Sequence, residues 1–359
     1  MNTRKPLPAE PIKRALHDGV VIPALPLALT SARRFDERRQ RALTRYYMEA
    51  GAGGIAVGVH STQFAIRDPE VGLFEPVLSL AAEAMKIYES DSGRSLIKVA
   101  GVVGKTDQAL TEAELASNIG YDIALVSLSA FKEESNERMI EHLNAVSEVM
   151  PIFGFYLQPS VGGRRLDYDF WRAAVDIENL VAIKTAPFNR YDTLDVLRAV
   201  VDGGREDSLA MYTGNDDNII LDLLTTVRFS ENEDAPNIRF RGGLLGQWAV
   251  WTHQAVKDLE TIKDVRSNGK AIPLSLLTRA QQLTDANAAI FDAANGFAGC
   301  IPGIHEILRR QGLLEGLWTL NPNEVLSPGQ SEELDRVCRA YPSLNDNAFV
   351  KENLDRWLR

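Results

Sequence analysis

Cysteine is nearly absent. The 359-residue chain has two, Cys300 and Cys338, far apart and without a CxxC partner, which excludes a disulfide framework and argues against a zinc site. Positive charge is in the minority: 39 Lys and Arg stand against 49 Asp and Glu, for a net charge of −10. A nucleic-acid partner needs a clustered basic surface and is not expected. The basic run Arg33-Arg34, Arg38-Arg39 and Arg41 is interleaved with Asp36 and Glu37 and reads as a solvated helix face. No apolar run approaches the roughly 18 residues needed to cross a bilayer, so no membrane partner is expected. Met1 to Asp18 carries Arg4, Lys5, Lys13 and Arg14 but no apolar core of a secretory signal. A cytoplasmic location is the expectation.

What is present is alternation. Short apolar runs at Val20–Leu25, Gly54–Val57, Leu96–Val102, Ile123–Leu128, Pro151–Tyr156, Leu180–Lys184, Ser208–Tyr212 and Ile238–Leu244 read as strands. Each is followed by an amphipathic segment, from Glu37–Ala50 to Trp248–Arg266. Continuously apolar strands belong to a parallel sheet covered on both faces. Eight such units predict an α/β fold, a (β/α)₈ TIM barrel. The predicted organisation is an N-terminal extension over 1–19, the catalytic barrel over 20–270 and a C-terminal helical extension over 271–359 packed on it. The glycines Gly51, Gly53, Gly54 and Gly58 look like a dinucleotide fingerprint, but they follow a helix and precede a strand, the wrong order. They read as a loop with a C-cap glycine.

Catalytic groups of such barrels stand at the C-terminal ends of the strands. Lys184 ends an apolar strand. Burial there lowers the pKa of an amine and frees it as a nucleophile. The alternative is a lysine reaching solvent or a carboxylate at the strand mouth. Tyr156 ends the neighbouring strand, where a phenol can relay protons or serve as a barrel-top aromatic. His60 can act as acid, base or carboxylate anchor, or be structural. Asn215-Asp216-Asp217 suggests a hard-metal site, but three adjacent positions do not converge easily, and a helix N-cap is the better reading.

Two elements resemble the dihydrodipicolinate synthase / N-acetylneuraminate lyase family. Tyr156-Leu157-Gln158-Pro159-Ser160 is similar to its Tyr-Asn-x-Pro-Ser element, and Asn179-Leu180-Val181-Ala182-Ile183-Lys184 to its Asn-Ile-x-Gly-Ile-Lys element, with a family-like spacing of 28 residues. Gly214-Asn215-Asp216-Asp217 resembles its Gly-Asp-Asp turn. The resemblance runs from about Val20 to Leu334. It implies a pyruvate-type class I aldolase or dehydratase, a lyase that holds a 2-keto acid, here read as sugar-derived, as a Schiff base without metal or organic cofactor. It also implies a homo-oligomer, a tetramer or dimer. Carried over, Lys184 is the Schiff-base lysine and Tyr156 the phenol, with Gly214 beside the substrate. The carboxylate-binding Thr-Thr pair falls on His60-Ser61, the relay tyrosine on Phe131, and the Glu after the lysine on Thr185. The synthases' arginine falls on Val161, with Arg164 and Arg165 nearby. These departures predict a partner other than aspartate semialdehyde, less acidic and more apolar. Two rivals stand beside this reading: a metal-dependent barrel lyase using Asp216 and Asp217, and a catalytically silent barrel that binds a metabolite.

Overall fold

The computed structural model describes residues 7–269 and 271–359. Residues 1–6 of the expected N-terminal extension lie outside the described residues. The strands are β1 (Val21–Pro23), β2 (Gly54–Val57), β3 (Ile97–Val102), β4 (Ile123–Val126), β5 (Ile152–Tyr156), β6 (Leu180–Thr185), β7 (Ala210–Thr213), β8 (Thr226–Arg228), β9 (Asn237–Arg239) and β10 (Gly242–Leu245). Eight form one sheet in the order β1-β10-β7-β6-β5-β4-β3-β2, every pair parallel. A parallel bridge between Ala24 and Ala56 closes the ring. The Leu25 N–H donates to the Ala56 carbonyl at 2.8 Å across it. This is the (β/α)₈ barrel the alternation predicts.

Strand side chains alternate between two layers. Ile55, Val57, Ala100, Val102, Ala124, Val126, Tyr156, Ile183 and Met211 face the surrounding helices. Ile22, Ala56, Val99, Leu125, Phe153, Phe155, Ala182, Ala210, Tyr212 and Leu244 fill the interior. Small residues stand beside large ones: Phe153 and Tyr212 meet edge-on at 5.4 Å, next to Ala182 and Ala210. The lower barrel is therefore a packed core, and each buried aliphatic or phenyl group contributes about 1.5–3 kcal/mol.

A helix, Glu10–Asp18, plugs the base. It places Ile12 and Leu16 in the interior cluster, and the Tyr212 hydroxyl donates to the Leu16 carbonyl at 3.1 Å. Gly19 ends it with φ 80°. A Cβ there would stand 1.9 Å from the Arg241 carbonyl oxygen, so only glycine fits this turn.

The expected eighth strand divides. Ile238-Arg239-Phe240-Arg241 alternates apolar and cationic residues, the pattern of a strand with one wet face. Its β9 portion pairs antiparallel with β8 outside the barrel, and only the uncharged Gly242–Leu245 joins the ring. The preceding helix, Ile219–Leu224, ends where the β-branched run Thr225-Thr226-Val227 begins. Trp248–Arg266 is likewise interrupted, its helix starting at Thr252.

Four helices follow: Leu274–Ile290, Cys300–Arg310, Gln330–Ala340 and Asn347–Trp357. The last lies against Glu37–Ala50, with Trp357 buried 5.5 Å from the Tyr46 ring. Of the basic run, Arg38 and Arg39 are not simply solvated, and neither is the neighbouring Arg45. Arg45 donates to the Trp357 carbonyl at 2.7 Å, Arg38 to that of Leu358 at 2.8 Å and Arg39 to that of Gly312 at 2.7 Å. The first two are carbonyls that the end of a helix leaves open.

Candidate active site

Lys184 sits at the C-terminal end of β6 and points into the barrel. Parallel pairing sets Phe155 of β5 opposite Lys184, and Tyr156 opposite Thr185. The lysine Nζ lies 4.4 Å from the Phe155 ring centroid. Gly214, just after β7, makes room for the side chain: a Cβ there would stand 2.6 Å from Lys184 Cε. Above this layer a cavity of about 640 Å³, its mouth included, opens between the strand ends and the helix Cys300–Arg310.

The cavity is chiefly apolar. Phe155, Leu157, Val161, Phe188, Phe291, Phe297 and Ile304 form most of the wall, and its side-chain polar groups are His60, Ser61, Gln158, Lys184, Asp216 and Cys300. Phe188 and Phe297 meet edge-on at 5.7 Å, and both have positive φ, 54° and 71°. Non-glycine residues bear such strain where the surrounding structure holds them. The Phe188 N–H donates to Asn215 Oδ1 at 3.1 Å. Asp292, also at positive φ, accepts from the Gly299 N–H at 3.0 Å and from the Ser327 hydroxyl. Together these bonds hold the loop that carries Phe297.

Burial pushes the Lys184 amine below its ordinary range, and the Asp216 carboxylate opposes that shift. Burial pushes Asp216 upward, against the pull of the Gln247 N–H and of Lys184. That N–H donates to Asp216 Oδ1 at 2.7 Å. Asn287 Nδ2 in turn donates to Gln247 Oε1 at 2.9 Å. Asp216 is thus a cavity group and not an N-cap: the helix Ile219–Leu224 starts after Asn218 with no side-chain cap. Asp217 does not line the cavity. Among the described residues no three His, Cys, Asp or Glu side chains converge as a metal set.

His60 and Ser61 form a short turn after β2. Thr62 fixes it, accepting from the Gly58 and Val59 N–H groups and donating to the Leu25 carbonyl at 2.6 Å. Ser61 lines the cavity, and its buried hydroxyl has no hydrogen-bond partner. Burial, then the charge of Lys184, pushes His60 down to about 4, so its ring is neutral near pH 7. Burial, then Asp216, raises Cys300 and keeps its thiol protonated.

Three predicted residues stand elsewhere. Tyr156 faces the helix layer. Its ring packs 5.8 Å from Trp171, and its oxygen accepts from the Leu166 N–H at 3.1 Å. Burial raises that phenol, with the Asp192 carboxylate adding to the effect. Phe131 packs against His142, ring centroids 4.4 Å apart, and under the Lys105 ammonium. Thr185 is buried beside Tyr156 in the strand pairing, and neither it nor Phe131 lines the cavity. The two candidate arginines do not line it either. Arg164 donates to the Phe131 and Glu134 carbonyls at 3.0 and 2.7 Å, and Arg165 pairs with Asp192 at 3.2 Å. Sequence reasoning missed Phe155, Phe188, Gln158, Phe291, Phe297, Cys300 and Ile304. Phe155 lies in the predicted strand Pro151–Tyr156 and Gln158 in the tyrosine element; the others come together only through tertiary packing.

No protein-family model matches the chain. The 4-hydroxy-tetrahydrodipicolinate synthase of Acaryochloris marina is 27% identical over 158 residues, which span 44% of this chain and 48% of that enzyme. Across the curated relatives the match spans 46% to 66% of their length. A prophage protein of the dihydrodipicolinic acid synthase family from E. coli, solved in complex with pyruvate, superposes with a TM-score of 0.73 at 16% identity, over 91% of this chain and 99% of that one. The N-acetylneuraminate lyase of Fusobacterium nucleatum, complexed with pyruvate, gives a TM-score of 0.69 at 15% identity, over 92% and 99%. The chain is thus similar in part of its sequence to 4-hydroxy-tetrahydrodipicolinate synthases, and it shares its barrel fold with solved members of the dihydrodipicolinate synthase and N-acetylneuraminate lyase group. In this chain the lysine element delivers its amine to the cavity, whereas the tyrosine element delivers Leu157 and Gln158, and the preceding Phe155, instead of its phenol. Among the described residues no helix is long and apolar enough to cross a membrane.

Proposed function

We propose that this chain is a class I lyase in which Lys184 forms a Schiff base with a 2-keto acid. The observation that carries the reading is the Lys184 amine, buried in a cavity and pushed toward its neutral form, beside an unpartnered buried hydroxyl, that of Ser61. The neutral amine attacks the keto carbon, water leaves, and the positive nitrogen becomes the electron sink. Ser61 donates to the carboxylate, and the neutral His60 ring has one N–H to add. The family relatives support this chemistry, two of the similar structures being pyruvate complexes.

The wall argues for an apolar partner over the sugar-derived one the resemblance suggests. A polyol would leave hydroxyls unpaired against Phe188, Phe291, Phe297 and Ile304, each costing about 1–3 kcal/mol. Among the described residues that line the cavity a second carboxylate finds no free cation, because Lys184 is committed to the imine and both nearby arginines are engaged elsewhere. The metal-dependent alternative loses support because Asp217 does not face the cavity with Asp216.

The test is reductive trapping. Pyruvate or another short 2-keto acid with borohydride should add a reduced adduct to intact protein, mapped to Lys184 and absent from Lys184→Ala. The trapping rate should rise with pH through a range below that of an ordinary lysine, because burial favours the neutral amine. A panel of keto acids that all leave Lys184 unmodified would falsify the reading.

A further inference from the structure

We infer that Asp216 is the proton carrier of this site, taking the role that a phenol does not reach in this chain. The inference rests on the Schiff-base reading of Lys184.

The cavity wall offers few proton-handling side chains: His60, Ser61, Lys184, Asp216 and Cys300. Lys184 is used up once it becomes the imine. The Cys300 thiol is held protonated by its burial. Ser61 has no base beside it to activate its hydroxyl, since Oγ contacts no partner. His60 is too weak a base, being pushed down to about 4. Tyr156 lies behind the sheet, its oxygen engaged by the Leu166 N–H. Asp216 remains. It is only 5% exposed, yet it lines the same cavity as Lys184.

Its mounting suits the task. One carboxylate oxygen is held by the Gln247 N–H at 2.7 Å. Asn215, the preceding residue, is fixed through its Nδ2 to Thr193 Oγ1 at 3.2 Å and to Asp222 Oδ2 at 3.0 Å. Asp222 is in turn paired with Arg190. The loop is rigid, so the carboxylate is preorganised. Burial raises its proton affinity toward the neutral range where a general base works best.

The step balances without any co-reactant. The Asp216 carboxylate takes a proton from C3 of the iminium. The C–H electron pair becomes the C2–C3 double bond, and the electrons of the C2–N double bond settle on nitrogen. The product is the enamine and a protonated Asp216. That proton returns to C3 in the reverse step, or passes to the oxygen of an electrophile the enamine attacks.

Pyruvate alone tests this, because C3 exchange needs no second substrate. In D₂O the wild-type protein should wash out the pyruvate methyl signal in proton NMR. Asp216→Asn keeps an oxygen to accept the Gln247 N–H but cannot carry the proton. It should retain borohydride trapping at Lys184 while C3 exchange falls by about 10²- to 10⁴-fold. Should the amide variant misfold, Asp216→Ala is expected to show the same split. Tyr156→Phe should exchange at a rate close to wild type. Exchange at the wild-type rate in Asp216→Asn overturns the inference, and so does a wild-type protein that traps pyruvate without exchanging C3. Joint loss of trapping and exchange reassigns Asp216 to holding Lys184 and overturns it too. Absence of any trapped adduct in the wild type, with pyruvate and other 2-keto acids, overturns instead the Schiff-base reading beneath it.

Discussion

A buried amine that loses its solvation gives up its proton more readily, and one packed against an aromatic face has few ways to regain that solvation. Lys184, 8% exposed and 4.4 Å from the Phe155 ring, is in that position. Ser61 stands beside it in the opposite condition, as a donor with nothing to bind. A buried hydroxyl without a partner costs folding free energy, and a bound carboxylate would recover it. A hydrogen bond to a charged group is worth about 1.5–3 kcal/mol, roughly one to two decades in affinity. Ser61→Ala should therefore raise KM for the keto acid about ten- to a hundred-fold with a much smaller change in kcat. Its urea unfolding midpoint should be no lower than wild type and should rise if anything, because no existing bond is lost and an unpaired buried hydroxyl is removed. A lowered midpoint with unchanged KM would assign Ser61 to folding and not to substrate.

At the scale of the strand, one register shift decides which aromatic meets the lysine. Ile152 pairs with Leu180, 28 residues on, but Phe155 pairs with Lys184, 29 residues on, because the ladder slips between Ile152 and Phe153. The spacing of the two sequence elements is 28, which without the bulge would set Tyr156 beside Lys184. A one-residue slip sends every later side chain of the strand to the opposite face. This is why the lysine's place was legible in the sequence and the tyrosine's was not. Strand identity follows from composition, whereas a register shift depends on tertiary packing and leaves no local signature. Tyr156→Phe accordingly should keep turnover near wild type and lose about 1 kcal/mol of stability with the Leu166 hydrogen bond, measured by urea denaturation. A kcat reduced by two decades or more in a fully folded variant would return the phenol to the chemistry.

For the whole molecule, the eight-fold alternation of apolar runs and amphipathic helices was enough to predict the barrel, since parallel strands buried on both faces admit few other closures. The base plug Glu10–Asp18 was not legible: its short, strongly charged sequence shows its apolar face only once Ile12 and Leu16 meet the barrel interior. The cavity roof was equally hidden. Phe291, Phe297, Cys300 and Ile304 lie more than a hundred residues beyond Lys184, and only the docking of Cys300–Arg310 over the strand ends brings them there. That roof closes a site whose floor is the lysine and whose wall carries the unpartnered Ser61. The most direct test is a crystal structure of the protein soaked in pyruvate. The account predicts continuous density from Lys184 Nζ to the ligand's C2, the carboxylate within about 3 Å of Ser61 Oγ, and Tyr156 still packed on Trp171. Pyruvate bound without a covalent link to Lys184, or Tyr156 turned inward onto the imine, would contradict it.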